Sequence, residues 1–254
     1  MSWAARRRFI ILLIIGAVAV AFLAIVLIAT FYKTPSCTDG VQNQGEAGVD
    51  CGGSCAYLCT AQVEPPVVLF TKALDTGTGR TDVVAMVENK NKNAAARKVP
   101  YSITLYGEGQ VFLQEVTGTL DLPPGVRVPL FVPGVVSGRQ EVTGAFLDIA
   151  ADAPRWFAVA GDSRVLPVVS DTTRSGSLGA PRIDAVLMNP SARALSNVHV
   201  IVLVRNARKE VIAASETIVP SIPADGRATA LFTWNRAFAS LPTLIEVFPV
   251  IPLL

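Results

Sequence analysis

The chain has 254 residues, 51% of them hydrophobic and 17% charged, and a formal net charge of +2. That length suits one or two domains. So small a net charge, with Lys and Arg scattered beyond the N-terminus, gives no footprint for nucleic acid or an acidic substrate.

The first element is apolar. Phe9 to Phe31 runs for about 23 residues without a charge, roughly 34 Å of helix against a hydrocarbon core of about 30 Å. It has no polar face. Arg6, Arg7 and Arg8 precede it and only Lys33 follows closely. Positive flanks stay inside, so the N-terminus is expected in the cytoplasm and the rest outside. The segment exceeds the apolar region of a cleaved signal peptide. It predicts a retained single-pass anchor in the plasma membrane, with a stub over 1–8 and a transmembrane helix over 9–32. Gly16, Ala17, Ala19 and Ala21 offer small side chains for packing against other helices.

All four cysteines follow at once: Cys37, Cys51, Cys55 and Cys59. In an oxidising compartment an even, clustered set reads as a disulfide framework, and three connectivities are open. A segment this small cannot bury a core, so crosslinks have to replace one. The spacings are not those of common zinc ribbons. Between the cysteines, Asp39, Asn43, Glu46 and Asp50 lie among Gly40, Gly45 and Gly48. Such oxygens suit calcium as a structural ion; the same residue types also build turns in a loop-rich knot. The cysteine-rich module is expected over 33–62.

The run C-T-D-G-V-Q-N-Q-G-E-A-G-V-D-C-G-G-S-C resembles a short module of surface and secreted proteins, roughly C-x-D-G-x-x-N-x-x-E-x-G-x-D-C-G-G-x-C. The resemblance implies an extracellular setting and no enzyme.

Beyond the module the chain repeats itself about every 100 residues. Pro66-Val67-Val68 recurs as Pro167-Val168-Val169, Ala85-Met86-Val87-Glu88-Asn89 as Ala185-Val186-Leu187-Met188-Asn189, and Leu122-Pro123 as Ile222-Pro223. Val99, Tyr101, Ile103 and Leu105 alternate with polar neighbours, as Val198, Val200, Val202 and Val204 alternate with theirs, which is the period of a strand. Turn signals such as Pro123-Pro124-Gly125 and Ala224-Asp225-Gly226 separate the strands. The fold class is therefore all-β: two tandem antiparallel β-sandwich domains, 63–162 and 163–254, behind the helix and the knot.

Ile103-Thr104-Leu105-Tyr106-Gly107 resembles the β-sandwich repeat with the F-x-L-Y-D signature, related in architecture to fibronectin type III. That family implies an extracytoplasmic structural or binding module without known chemistry.

Ile201 and Leu203 fall on the face of their strand that should meet water. Either a neighbouring segment such as Val250 to Leu254 covers them, or they dock a partner. Trp156 is expected at the junction between the sandwiches and Trp234 in a late strand. His199 is the one histidine, and no nucleophile elbow, phosphate loop or dinucleotide fingerprint accompanies it. No catalytic residue, cofactor other than calcium, small-molecule substrate or nucleic acid is expected. The sequence reads as a membrane-anchored structural or interaction protein with a protein partner. An accessory subunit of a cell-envelope assembly or secretion complex is the alternative, and an enzyme on a β scaffold is disfavoured.

Overall fold

A stretch rich in Ile, Leu, Val and Ala, with no proline, forms a single helix, α1 (Trp3–Phe31). The computed structural model describes residues 3–31, 36–77, 79–137 and 141–253; Tyr32, the last residue of the expected span, and Lys33, the first of the expected module, lie outside them. Within residues 6–30 of α1 an 18-residue stretch reaches a mean hydropathy of 3.3 and is 0% buried, and the helix is long and apolar enough to cross a membrane. The hydroxyl of Thr30 donates to the Val26 carbonyl at 2.7 Å, so even this polar group is satisfied within the helix.

The chain divides into two units, 1–55 and 56–254. Beyond α1 the first is irregular. Its turns are held by side-chain hydrogen bonds and a disulfide between Cys37 and Cys55.

The second unit is built of strands. They are β1 (Val67–Gly77), β2 (Arg80–Glu88), β3 (Ala94–Tyr106), β4 (Phe112–Leu122), β5 (Arg127–Ser137), β6 (Gly144–Asp148) and β7 (Trp156–Ala158), followed by β8 (Val168–Ser177), β9 (Ala180–Met188), β10 (Leu195–Arg205), β11 (Val211–Ile222), β12 (Arg227–Thr233) and β13 (Leu244–Val250). They pair antiparallel in four sheets: β1-β2-β5, β4-β3-β6 with β7 also on β3, β12-β9-β8 and β11-β10-β13. The two halves thus share one topology. In each, the chain crosses between sheets after its second strand and returns after its fourth.

The alternating residues explain the pairing of sheets. Val83, Ala85 and Val87 of β2 face Val99, Ile103 and Leu105 of β3, with Leu120, Leu122 and Leu147, in the first core. Ile183, Ala185 and Leu187 of β9 face Val198, Val200, Val202 and Val204 of β10 in the second. Trp156, 2% exposed, belongs to the first core rather than to the junction between sandwiches, because β7 pairs with β3 and turns the indole inward.

One asparagine is repeated with its role. Asn89 is fully buried, and its Nδ2 donates to the carbonyls of Ala94, Leu122 and Pro123 at 2.9, 3.3 and 2.8 Å. Asn189 donates likewise to Arg193, Ile222 and Pro223 at 2.8, 3.3 and 3.0 Å. In each copy this amide ties the β2–β3 type of turn to the β4–β5 type, satisfying carbonyls that no strand reaches.

The cysteine-rich stretch is divided between the units. Tyr57 bridges to Phe157, the Leu58 N–H donates to the Trp156 carbonyl at 2.8 Å, and Leu58 and Val63 pack on the first core. Residues 56–63 therefore dock on the first sandwich.

A third apolar cluster joins the sandwiches. Phe70, Leu74, Val84, Met86 and Phe131, on the outer face of β1-β2-β5, meet Ile201, Leu203, Val211, Ala214, Phe248 and Val250 on the outer face of β11-β10-β13. The second unit is four sheets deep. Most of the same strand positions on the two outermost faces are polar, although Val186, Leu231 and Phe112 stand where the seam has Met86, Phe131 and Val211. Asp171, Ser175 and Asp184 stand where the first copy has Phe70, Leu74 and Val84, and Ser102, Thr104, Glu115 and Asp148 stand where the second has Ile201, Leu203, Ala214 and Phe248. Stacking is thus confined to one pair of faces.

Candidate functional site

The knot brings Asp39, Asn43, Glu46 and Asp50 together, and each of the three carboxylates accepts main-chain N–H groups. Asp39 accepts from the N–H groups of Ser36 and Val41 at 3.1 and 2.9 Å and from Asn43 Nδ2 at 2.9 Å. Asp50 accepts from the N–H groups of Asp39 and Gly40, both at 3.0 Å. Glu46, 7% exposed, accepts from the N–H groups of Asp50 at 3.1 Å and Asn43 at 3.4 Å. Each carboxylate closes a turn whose N–H groups would otherwise be unpaired. Calcium takes six to eight oxygens, and here it would compete with those hydrogen bonds. Asn43 Oδ1 is the one buried side-chain oxygen without a partner among the described residues.

Glycine is obligatory at one point of this knot. A Cβ on Gly53, at φ +59°, would collide with the Gly45 carbonyl oxygen. All four cysteines are oxidised: Cys37 pairs with Cys55 across 18 residues, Cys51 and Cys59 are disulfide-bonded as well, and no thiol is free. Sγ of Cys55 lies 3.1 Å from Glu46 Oε1. A disulfide sulfur carries no proton and no thiolate charge, so Cys37, Glu46 and Cys55 do not make a soft-metal site.

Ile201 and Leu203, 5% and 0% exposed, lie in the seam between the sandwiches. The C-terminal strand contributes Phe248 and Val250 from their own sheet, while the cover comes from the first sandwich. The segment after β13 is tied down separately. Leu253 N–H donates to Asp121 at 2.8 Å, and Arg164, in the inter-sandwich linker, donates to the Ile251 carbonyl at 2.6 Å. The Arg164 hydrogen bond to Asp162 lowers the pKa of that aspartate despite partial burial.

A cleft of about 430 Å³ opens beside the seam, with Lys72 and Asp75 on one wall and Glu210, Trp234, Arg236 and Phe238 on the other. Both of its carboxylates have cationic partners. Asp75 and Arg236 pair across it at 3.0 Å, and the Gly77 N–H first, then Arg236, hold the Asp75 carboxyl below its usual range. Glu210 is lowered by its hydrogen bond from Asn206 and by the charges of Arg208 and Lys72. Trp234 and Phe238 stack edge-to-face with centroids 5.1 Å apart. His199 Nδ1 lies 2.6 Å from Glu216 Oε1 and is half-exposed. No hydroxyl or thiol is hydrogen-bonded to it among the described residues, so no nucleophile–base pair forms there.

Sequence reasoning missed this cleft and an aromatic cluster on the outer face of β4-β3-β6, where Phe112 and Phe146 are 59% and 61% exposed. Neither aromatic belongs to a motif; only the period-two pattern carried through Gly144-Ala145-Phe146 marks Phe146 as outward.

The fold and these sites define a tandem β-sandwich protein preceded by an apolar helix and a disulfide knot. No family model and no curated protein matches the chain. Among solved structures it is similar to red sea bream transglutaminase, with a TM-score of 0.25, 10% identity, and coverage of 74% of this chain and 29% of that one. It is also similar to a β-glucuronidase of glycoside hydrolase family 2, with a TM-score of 0.22, 10% identity, and coverage of 83% and 26%. The chain spans under a third of either protein's length, and similarity this low bears on neither fold nor activity.

Proposed function

We propose that the chain is a single-pass membrane protein that displays its two sandwiches outside the cytoplasm to bind another protein. The observation that carries this is the placement of four oxidised cysteines directly after a helix whose residues from Phe9 to Phe31 carry no charge. Disulfides persist in oxidising compartments, and three arginines in the first turns of the helix, ahead of its charge-free run, favour the same orientation. The pairing of Asp75 with Arg236 across the cleft, and of His199 with Glu216 rather than with a nucleophile, supports binding rather than catalysis. The shared strand order of the two sandwiches supports placing both with the F-x-L-Y-D-like group.

Protease treatment of intact cells or right-side-out vesicles tests the reading. Sandwich epitopes should be digested without detergent, and inverted vesicles should protect them. Protection in right-side-out vesicles, or free thiols at the four cysteines in freshly isolated protein, would overturn it.

A further inference from the structure

The outer face of β4-β3-β6 is polar where the second sandwich is apolar, yet it carries rings at one end. Strand pairing sets Tyr106 beside Phe112 and Gly144, and Thr104 beside Glu115 and Phe146. Val111 adjoins them at 61% exposure. Nothing in the fold requires these rings. The equivalent positions of the second sandwich hold Arg205, Val211 and Glu246. Large rings left in water are unfavourable by about 25 cal/mol per Å² relative to cover, so a contiguous set points to a contact.

The face also has a hollow. A Cβ on Gly144 would meet nothing within 4 Å. The missing side chain opens a notch of about 380 Å³ lined by Tyr106, Gln110, Thr143, Gly144, Ala145 and Phe146. The charged residues at the paired strand positions around it are acidic. Glu115 and Asp148 stand on the paired positions of the face, and no Lys or Arg does. Exposed Glu108 and Glu141 lie in the flanking loops, the second of which also carries Arg139 in its sequence.

We propose that this notch binds the cationic side chain of a lysine or arginine from a basic segment of a partner protein. The rings of Tyr106 and Phe146 offer their negative faces to the cation, and Glu115, outside the lining but on the same sheet face opposite Thr104, adds counter-charge. Phe112 and Val111 extend the contact to the apolar stem of the same side chain. A second copy of this chain fits less well. The face that mates within the molecule is apolar, whereas the free sheet of the second sandwich interrupts its apolar Val186 and Leu231 with Asp171, Ser175 and Asp184 at the mating positions. The proposal names the chemistry of the partner that the display reading requires, and binding by detergent-solubilised protein tests it whichever side of the membrane the sandwiches occupy.

The full chain in a polyoxyethylene detergent is titrated with fluorescent hexa-arginine, with the same peptide carrying citrulline, and with chitohexaose. Hexa-arginine should bind and the other two should not. Phe146→Ser should weaken binding about tenfold, and Glu115→Gln about threefold with a shallower salt dependence. Gly144→Val should fill the notch and abolish binding with an unchanged melting temperature, which keeps the test valid if Phe146→Ser perturbs folding. Undiminished binding by Gly144→Val overturns the site. Equal binding of the citrulline peptide overturns the cationic ligand, and chitohexaose binding in its place assigns the notch to a saccharide.

Discussion

Replacing Leu203 by Ser distinguishes a covered seam from a partner site. Leu203 is fully buried among Leu74, Val84 and Met86 of the other sandwich. Truncating a buried leucine to alanine size costs about 2–5 kcal/mol, and an unpaired hydroxyl in that seam adds roughly 1–3 kcal/mol. A loss of at least about 3 kcal/mol is expected, which for a folded region of this size lowers the melting temperature by roughly 6–12 °C. Urea unfolding of the full chain in detergent, followed by tryptophan fluorescence, reads it out. Trp156 reports on the first core and Trp234 packs on the second. Thr104→Ser, at the equivalent solvent-facing position of β3, should change stability by no more than about 0.5 kcal/mol. A Leu203→Ser variant as stable as the parent would refute the four-sheet stack and return this strand to the surface.

Asn89→Ala and Asn189→Ala should each destabilise by about 2–4 kcal/mol in the same unfolding assay, because each strips several buried carbonyls of their donor. The two losses should be near-equal and additive, since the sites serve separate cores. Asp162 has a folded-state pKa below its ordinary 3.8. Its contribution, of order 1 kcal/mol, is therefore complete above about pH 4 and is lost as pH falls through the lowered folded value. Arg164→Gln should flatten that acid limb of the melting curve. Separating Cys37 from Cys55 by Ser substitution releases a loop of 18 residues, worth roughly 3 kcal/mol to the knot. Proteolysis between those positions should accelerate. Millimolar calcium should raise the knot's protease resistance little, since its carboxylates already hold main-chain N–H groups; a marked rise would make Asp39, Asn43, Glu46 and Asp50 a metal site.

Much of the architecture is legible in the residues. The recurrence of Asn89 as Asn189 fixes the period of the repeat, and the valine ladder of β10 marks a core face. The order of the sheets is not legible, because period-two alternation tells which side of a strand is apolar but not which surface covers it. Ile201 and Leu203 announce an anomaly on one side. Its counterpart is five consecutive buried residues, Val83 to Val87, a run that by itself fits any doubly covered strand. Trp156 follows Pro154 and Arg155 with no strand pattern around it, so its burial rests on the short β7 pairing that only the fold supplies. In the knot, the ligand-like oxygens and the turn-forming oxygens are the same atoms, and only their donors tell the roles apart.

The polar residues at the mating positions of the outermost sheets make the two copies non-interchangeable. Transposing them in the chain would turn Val84 and Met86 outward at one end and Ile201 and Leu203 outward at the other. Each molecule would then present two complementary sticky surfaces facing away from each other, and molecules would join end to end without limit. The order of the halves is thus itself a solubility determinant. A fragment carrying either sandwich alone would inherit one uncovered apolar sheet, so the pair, not the single sandwich, is the smallest piece that can be moved into another protein.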